Sequence, residues 1–455
     1  RFACLRPKCM TDPPIHSIPD TSADSMQQSS IAKSHDSGRL RKNIAALSIL
    51  QLLNYALPLA VVPYLTRVLG PADYGLLIIA QATINYANSI TDYGFNFSAT
   101  RLVARHKNDR HELSKIFWST MTAKLMIMTL CFAVLAILIT VVPIFHEHAM
   151  LLIAASVLVP GGVLFPMWFF QGIEEMRAIT VAQAAAKLTL VPLIFIFVKG
   201  PEHIVRAAAI QSGTYIVAGL FGIPLIMRTS LICWHRPTIA ELRQTFREGW
   251  HLFLSSVSIL IYTSTNTLIL GFVSGEVQAG YFGAANRAVQ GSQGVLIPVT
   301  QALYPHLNSL AVKSRAATVA LIKKAVFWIA LLSAGVSITF LVGAEPICHL
   351  VFGRKFDGSI VPLRWISFLP LLVGLSNIFG VQTMLTFGLN KEFNRIVSGS
   401  VVLNLLLTAL FAWLWGANGA AAALLITEFF VTAMMFSVVR SSGLLTAESS
   451  RGETV

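Results

Sequence analysis

Five ionisable residues lie inside long apolar stretches of the sequence: Asp92, Lys124, Lys187, Arg287 and Glu428. A charged side chain at the centre of a bilayer costs at least ~2.5 kcal/mol, so each is expected to face other helices or a water-filled cavity. Two alternatives stay open. Lys124 and Arg287 lie near enough to a helix end to extend their charge to the headgroups, and Glu428 would serve equally well as a structural ion-pair partner.

Three of the five are cations, so the predicted interior is positively charged. Lys124 and Lys187 lie ~13 Å from the starts of their helices, and Arg287 lies ~10 Å from the opposite membrane surface, at 1.5 Å per residue. Fixed positive charge suits an anionic ligand such as a phosphate or pyrophosphate. We therefore predict Lys124, Lys187 and Arg287 as a cationic binding site, with Asp92 and Glu428 as candidates for ion coupling.

Amide side chains accompany these charges on two helices that match across the sequence. On the first helix, polar side chains recur every three or four residues and therefore lie on one helical face: Gln81, Asn85, Asn88, Asp92 and Asn96. Gly70 and Gly75 flank the start of the first helix, and Gly275 and Gly280, 275 − 70 = 205 positions later, flank the start of the second. The same offset relates the first set to Asn286, Gln290, Gln293, Ile297 and Gln301. One amide could hold two helices together, but two matched stripes favour a wet cavity between parallel repeats. Its predicted polar lining includes Asn85, Asn88, Gln290 and Gln293.

The elements that carry these residues are apolar segments of spanning length. The 455 residues are 55% hydrophobic and 12% charged, against roughly 25% charged in soluble domains. Lipid offers the backbone no hydrogen-bond partner, so such segments must be helical. Twelve are predicted: 43–66, 74–98, 115–143, 149–171, 178–199, 204–228, 250–273, 280–305, 323–344, 360–388, 394–415 and 418–440. The predicted fold is an all-α integral membrane protein of about 12 transmembrane helices, in two six-helix lobes related by a pseudo-twofold axis around a central cavity.

Four regions follow along the chain. Residues 1–42 are expected to be a disordered polar tail, 43–245 an N-terminal lobe with a cytoplasmic linker, 246–440 a C-terminal lobe, and 441–455 a cytoplasmic tail. Most basic residues flank one side of the predicted spans, and the other side holds Arg67, Lys199, Arg206, Arg354 and Lys355. The positive-inside rule therefore predicts that both termini are cytoplasmic.

The remaining composition argues against several functional classes. The net charge of +13 is explained by the loops on one side of the membrane, so no nucleic-acid partner is expected. The five cysteines have no paired or metal-like spacing. His146, Glu147 and His148 fall in a short loop, which favours a polar turn over a metal site. The sequence has no Gly-rich phosphate loop followed by Gly-Lys-Ser/Thr. We predict a non-enzyme that needs no cofactor and no bound metal.

Four stretches resemble a known family. They are Arg67 to Leu77 (RVLGPADYGLL), Asp92 to Arg101 (DYGFNFSATR), Glu112 to Leu125 (ELSKIFWSTMTAKL) and Tyr281 to Leu307 (YFGAANRAVQGSQGVLIPVTQALYPHL). These motifs resemble the polysaccharide transporter family, the O-antigen type flippases of the multidrug/oligosaccharidyl-lipid/polysaccharide superfamily. The resemblance extends over most of the chain after the N-terminal tail.

The resemblance implies a bacterial inner-membrane protein that moves undecaprenyl-diphosphate-linked oligosaccharide, a repeat unit of O-antigen, capsule or exopolysaccharide, by ion-coupled alternating access. It implies membrane lipid, a polysaccharide polymerase and a chain-length regulator as partners, with a monomer as the transport unit. Lys124, Lys187 and Arg287 suit the family's cationic cavity by their placement, and Asp92 lies within a matched motif.

Two rival functions differ in the residues they require. A multidrug and toxin extrusion-type exporter shares the fold but favours carboxylates and aromatic rings in its cavity, whereas this chain favours cations. A membrane polysaccharide polymerase or glycosyltransferase needs an acid/base or metal-binding group of residues, usually on a sizeable loop. No Asp-x-Asp pair occurs in the sequence. Both rivals are therefore less favoured than a flippase.

Overall fold

Helix is the only regular secondary structure among the described residues, which are Leu57 and residues 60–229, 231–294 and 297–444 of the computed structural model. All of them belong to one compact unit, 46–455. The predicted tail 1–42 and residues 445–455 lie outside the described residues, as does most of the first predicted span. The all-α prediction is confirmed for the part of the chain that is described.

The α-helices differ widely in length, from four to 52 residues. The α-helices are α1 60–92, α2 Phe95–Arg105, α3 Arg110–Val141, α4 Pro143–Glu147, α5 Ala149–Ser156, α6 Leu158–Leu164, α7 Met167–Gly172, α8 Met176–Phe197, α9 Ile204–Thr229, α10 Ile239–Ser274, α11 Glu276–Gln293, α12 Ile297–Lys313, α13 Arg315–Val342, α14 Ala344–Ile347, α15 Ile360–Ile366, α16 Leu369–Asn377 and α17 Asn390–Ser441. Short 3₁₀-helices span Pro201–His203 and Arg354–Ser359, and π-helix spans Cys348–Phe352 and Ile378–Met384.

Seven helical stretches of the described chain are long and apolar enough to cross a membrane. They are Arg110–Val141, Ala149–Gly172, Met176–Phe197, Pro201–Ile226, Arg315–Val342, Arg354–Met384 and Asn390–Ser441. The last is 52 residues long, more than twice the length that spans a hydrocarbon core. Large apolar side chains remain exposed along these stretches, for example Leu130 at 64% and Leu188 at 62%. These features identify a multi-pass membrane protein.

Glycines in left-handed backbone conformation mark where predicted spans meet. Gly70 has φ 78° inside α1, Gly275 has φ 89° between α10 and α11, and Gly416 has φ 56° inside α17. A side chain makes this conformation costly, so glycine is the residue that permits each change of direction. The long helices α1 and α17 are therefore each interrupted at one glycine.

The predicted segment 74–98 is wrong at its second end. Helix α1 ends at Asp92, because Tyr93 and Gly94 both have positive φ angles, 44° and 71°. Positive φ at two consecutive residues cannot continue a right-handed helix. Asn96 therefore lies on α2, and the polar stripe of α1 stops at Asp92.

Three other predicted segments are interrupted. The segment 149–171 is divided into α5, α6 and α7, and 360–388 into α15, α16 and π-helix. Before Pro166, Phe165 adopts an extended conformation with φ −102° and ψ 90°, as the residue preceding a proline favours. In the segment 280–305, α11 ends at Gln293 and α12 begins at Ile297, and residues 295–296 lie outside the described residues. Of the second amide stripe, Asn286, Gln290 and Gln293 therefore lie on α11, and Ile297 and Gln301 lie on α12.

Helices α1 and α11 meet backbone to backbone, shortly after Gly70 in α1 and near the start of α11. A methyl group on Gly75 would overlap the carbonyl oxygen of Glu276, and one on Gly280 would overlap that of Pro71. The contact is reciprocal, because 71 + 205 = 276 and 75 + 205 = 280. The two glycines are thus related by a local twofold axis. We call these four residues the glycine crossing.

An aromatic cluster packs beside the glycine crossing. The Phe356 ring is fully buried. Its centroid lies 5.9 Å from that of Tyr74 on α1 and 6.0 Å from that of Tyr281 on α11, both edge-on. Edge-to-face pairs at this separation are favourable beyond their burial. The segment 348–359 therefore packs against both helices beside the glycine crossing.

Candidate functional site

Arg287 points from α11 towards α1 and α9. Residues 282–285 on the same helix are buried, whereas Arg287 is exposed. Its Nη2 donates a hydrogen bond to Gln81 Oε1 on α1 at 3.4 Å. Its charge also acts on the hydroxyls of Tyr74 and Tyr215. These contacts place the guanidinium between helices.

Gln81 connects Arg287 to a third helix. Its Nε2 donates to Gln211 Oε1 on α9 at 2.9 Å. We call Arg287, Gln81 and Gln211 the amide relay. The Nε2 atom of Gln211 is buried and has no hydrogen-bond partner in the described structure. An unpaired buried donor costs about 1–3 kcal/mol, which marks this atom as a candidate for contact with a ligand.

Tyr215 extends the same face of α9 by one turn. Its side chain is 47% exposed, and both Arg287 and Asp92 act electrostatically on its hydroxyl. The backbone beside it packs tightly, since a methyl group on Gly161 of α6 would lie 2.6 Å from Tyr215 Cβ. Tyr215 is therefore a polar residue on a closely packed part of α9, one turn from Gln211.

Lys124 and Asp92 form an ion pair at the C-terminal end of α1. Lys124 Nζ lies 2.6 Å from Asp92 Oδ1. The Lys124 side chain is 2% exposed and that of Asp92 28% exposed. The two predicted site residues are thus brought together, and in this conformation the charge of Lys124 is balanced by a carboxylate.

The turn after Asp92 explains why its motif contains tyrosine and glycine. The Tyr93 ring stacks on Phe253 of α10, with centroids 4.6 Å apart. A methyl group on Gly94 would lie 2.8 Å from Leu252 Cβ. Gly94 therefore serves both the left-handed turn and the close approach to α10. Together these contacts hold the end of α1 that carries the ion pair.

The predicted amides occupy their expected helices. Asn85 and Asn88 are half-buried on α1, Gln293 is half-buried on α11, and Gln290 is exposed. Asn88 Oδ1 approaches α6 so closely that a methyl group on Gly162 would lie 2.8 Å from it. Asn88 thus contacts a neighbouring helix, and the role of all four amides as a cavity lining stays a prediction.

Lys187 lies at the border between two faces of α8. The neighbouring Ala186 is fully buried, Leu188 is 62% exposed, and Lys187 is half-buried. A residue at such a border can direct a long side chain either into the protein or along the lipid-facing surface. Its membership of the cationic site stays a prediction.

Glu428 lies beside a buried polar cluster of α10 and α17. Thr408 Oγ1 donates to Asn266 Oδ1 at 3.0 Å, and Asn404 Nδ2 donates to Thr427 Oγ1 at 3.3 Å. The side chain of Glu428 is 7% exposed, and Asn404 Oδ1 is buried without a hydrogen-bond partner in the described structure. Glu428 therefore belongs to different helices from the amide relay.

No group of three or more His, Cys, Asp or Glu side chains that could hold a metal ion occurs among the residues described. Within the triplet His146, Glu147 and His148, the first two end the short helix α4 and the third follows it.

Gln211 and Tyr215 are the site residues that the sequence analysis missed. Both lie on α9, four positions apart and hence on one face. The signal was present as a polar pair within an apolar span, but it has no counterpart at the 205-residue offset. A search for polar pairs at helical spacing in every span would have found them.

The chain is similar to known membrane transport proteins in sequence and in fold. A family model described as polysaccharide biosynthesis protein matches residues 40–311. An O-antigen transporter of Escherichia coli (strain K12) is 35% identical over 406 residues, which cover 89% of this chain and 98% of that protein.

Among solved structures, the lipid II flippase MurJ in an inward closed conformation has a TM-score of 0.71 at 13% identity, over 86% of this chain and 87% of that chain. The inward-facing conformation of a multidrug resistance MATE family transporter of the MOP superfamily has a TM-score of 0.65 at 15% identity, over 90% and 100%. These two likenesses concern the fold. The sequence matches confirm the resemblance found in the motifs, and the chain belongs to the polysaccharide biosynthesis protein family.

Proposed function

We propose that this protein is a flippase that moves lipid-linked oligosaccharide across the bacterial inner membrane. The observation that carries the proposal is the exposed Arg287 guanidinium, held by Gln81 between α1, α9 and α11. A diphosphate is best bound by charge-assisted hydrogen bonds from such a group. The similarity to an O-antigen transporter supports the same class of substrate.

The proposed architecture has twelve spans in two six-helix lobes, 43–245 and 246–440, with both termini in the cytoplasm. The local twofold axis of the glycine crossing supports the relation between the lobes. The distribution of basic residues supports the orientation. In this orientation the glycine crossing lies on the outer side of the membrane.

Transport is proposed to proceed by alternating access of the two lobes. Backbone contact at the glycine crossing closes the outer side, which supports an inward-facing state in the conformation described. The substrate headgroup would enter from the cytoplasmic side and meet Arg287. The crossing would separate to release it outward.

Ion coupling is proposed at Asp92, with Glu428 as a second candidate. Protonation of Asp92 would remove the charge that Lys124 now faces at 2.6 Å. A buried lysine without its carboxylate needs another anion, and the substrate diphosphate would supply one. The ion pair would thus link the arrival of substrate to the protonation of Asp92, with Lys187 as a further cation.

The proposed cellular partners are membrane lipid, a polysaccharide polymerase and a chain-length regulator, with a monomer as the transport unit. The rival exporter shares the fold, as the similarity to a MATE family transporter indicates. An exposed arginine in the cavity disfavours its cationic substrates, because like charges repel.

The test is complementation of a bacterial strain that lacks its own flippase and accumulates lipid-linked repeat units. We expect the protein to restore surface polysaccharide, and we expect Arg287→Ala and Lys187→Ala to lose at least ten-fold of this activity at normal membrane abundance. Lys187→Arg should retain part of it, since the charge is kept while its reach changes. Resistance to cationic dyes without restored polysaccharide would instead identify an exporter.

A further inference from the structure

The amide relay has a fixed direction of hydrogen bonding. A guanidinium has five N–H donors and no acceptor, so Gln81 must present its oxygen to Arg287. Its amide nitrogen then faces Gln211, which must accept through its own oxygen; the two distances are 3.4 Å and 2.9 Å. The nitrogen of Gln211 is left as a donor, and no described group accepts from it.

The free donor lies near the charge that the substrate is proposed to meet. Gln211 is joined to Arg287 through Gln81, by hydrogen bonds of 2.9 Å and 3.4 Å. Two donors, from Arg287 and Gln211, are therefore gathered where α1, α9 and α11 meet. A guanidinium, and an amide whose oxygen is already occupied, can only donate, so they are complementary to a ligand rich in acceptor oxygens, such as a diphosphate.

The relay also links the two proposed lobes, because α1 and α9 belong to the N-terminal lobe and α11 belongs to the C-terminal lobe. A hydrogen bond of 3.4 Å is close to the limit of the interaction, so a small separation of α11 from α1 would break it. The guanidinium would then lose the amide that orients it.

We propose that Gln81 is a positioning residue that holds Arg287 ready for the diphosphate of the substrate, and that Gln211 donates a second hydrogen bond to the same anion. This inference rests on the proposed function. It explains why a neutral amide stands beside Arg287. A carboxylate at position 81 would orient the guanidinium equally well but would cancel its charge.

The experiment is a double-mutant cycle on Gln81 and Arg287 in full-length protein, purified into lipid nanodiscs. The measured quantities are the dissociation constant for undecaprenyl diphosphate and the membrane abundance of each variant. Gln81→Ala should weaken binding about five-fold. Gln81→Glu should weaken it at least as much as Arg287→Ala, and Gln81→Ala/Arg287→Ala should be no weaker than Arg287→Ala alone.

Gln211→Ala isolates the second donor. We expect it to weaken diphosphate binding about three-fold while leaving affinity for undecaprenol, which lacks the anion, unchanged. Equal losses for both lipids would indicate a general packing role and overturn the assignment. So would additive losses for Gln81 and Arg287, or a lower abundance that explains the loss of binding.

The outcome separates this inference from the proposed function. If Arg287→Ala binds undecaprenyl diphosphate normally, the cationic site itself is wrong. If Arg287→Ala loses binding while Gln81→Ala and Gln211→Ala keep it, the site stands and the relay is refuted.

Discussion

The part of helix α1 that follows Gly70, residues 71–92, meets its neighbours in opposite ways near its two ends. At Gly75 the backbone touches the backbone of α11, with no side-chain atoms between them. At Asp92, 17 residues and ~26 Å along the helix, contact with α3 is made through a carboxylate and an ammonium group. The first contact depends on shape and can only separate. The second depends on charge and can exchange its partner, as the proposed coupling at Asp92 requires.

The largest predicted effect is the loss of the contact that depends on shape. Gly75→Ala and Gly280→Ala each place a methyl group on a carbonyl oxygen, so α1 and α11 cannot close at the glycine crossing, on the side proposed to be outer. We expect complementation to fall at least ten-fold. Gly335→Ala is the matched control, because a methyl group there meets no atom within 4 Å.

The closure of the glycine crossing in the same variants can also be measured without a transport assay. A cysteine at Ala279, which is fully buried near the crossing, should react with an impermeant maleimide added outside only when Gly75 is replaced. Equal protection of this cysteine with and without Gly75→Ala would show that the crossing does not seal the outer side.

Next in size is the loss of the contact that depends on charge. Asp92→Asn leaves the buried Lys124 ammonium without its carboxylate, a cost of about 3–5 kcal/mol. Membrane abundance should fall several-fold, and Asp92→Asn/Lys124→Met should restore it, because both charges are then removed. If Asp92→Asn is as abundant as the original protein and binds undecaprenyl diphosphate but does not transport it, the carboxylate acts in coupling rather than as an anchor.

A smaller effect is expected from an exposed contact near the glycine crossing. The guanidinium of Arg67 donates to the carbonyl of Leu350, next to the aromatic cluster. The contact is exposed, so its loss in Arg67→Gln should cost no more than ~1 kcal/mol. Complementation should fall about two- to five-fold, and Lys355→Gln, an exposed change in the same segment, should leave it unaltered. A ten-fold loss would mean that Arg67 has a larger role.

The smallest effect is a difference in labelling between native cysteines. Burial, reinforced by the negative charge of Asp357, raises the pKa of Cys348 to about 12, against an opposing effect of Arg364. At pH 8 about one thiol in 10,000 is then ionised. Cys233 is exposed, so it should react with maleimide at least 100-fold faster. With an impermeant reagent, Cys233 should react in inside-out vesicles and not in intact cells, and the opposite result would reverse the orientation.

The sequence was sufficient for features that depend on residue type and period. The apolar segments predicted the helical fold, and the 205-residue offset selected Gly75 and Gly280, which meet in the structure. Asp92 and Lys124 were both identified as charges that need a partner. Their pairing could not be predicted, because 32 residues separate them and the turn at Tyr93 decides which face of α3 the carboxylate meets.

Other features depend on contacts that no periodicity encodes. Gln211 has no repeat partner, and its importance comes from an amide that α1 brings within 2.9 Å. The interruptions of 149–171 and 360–388 follow from local backbone geometry, which a hydropathy pattern averages out. The repeat therefore predicts where the two halves touch better than it predicts what each half does alone.

The glycine crossing also sets a limit on how this chain can vary in evolution. In most packed interfaces a larger residue on one side is accommodated by a smaller one on the other, so substitutions can be exchanged between partners. At Gly75 and Gly280 both partners already lack a side chain. Neither position can compensate for a change in the other, so in a library of functional variants the two should stay glycine independently and show no covariation.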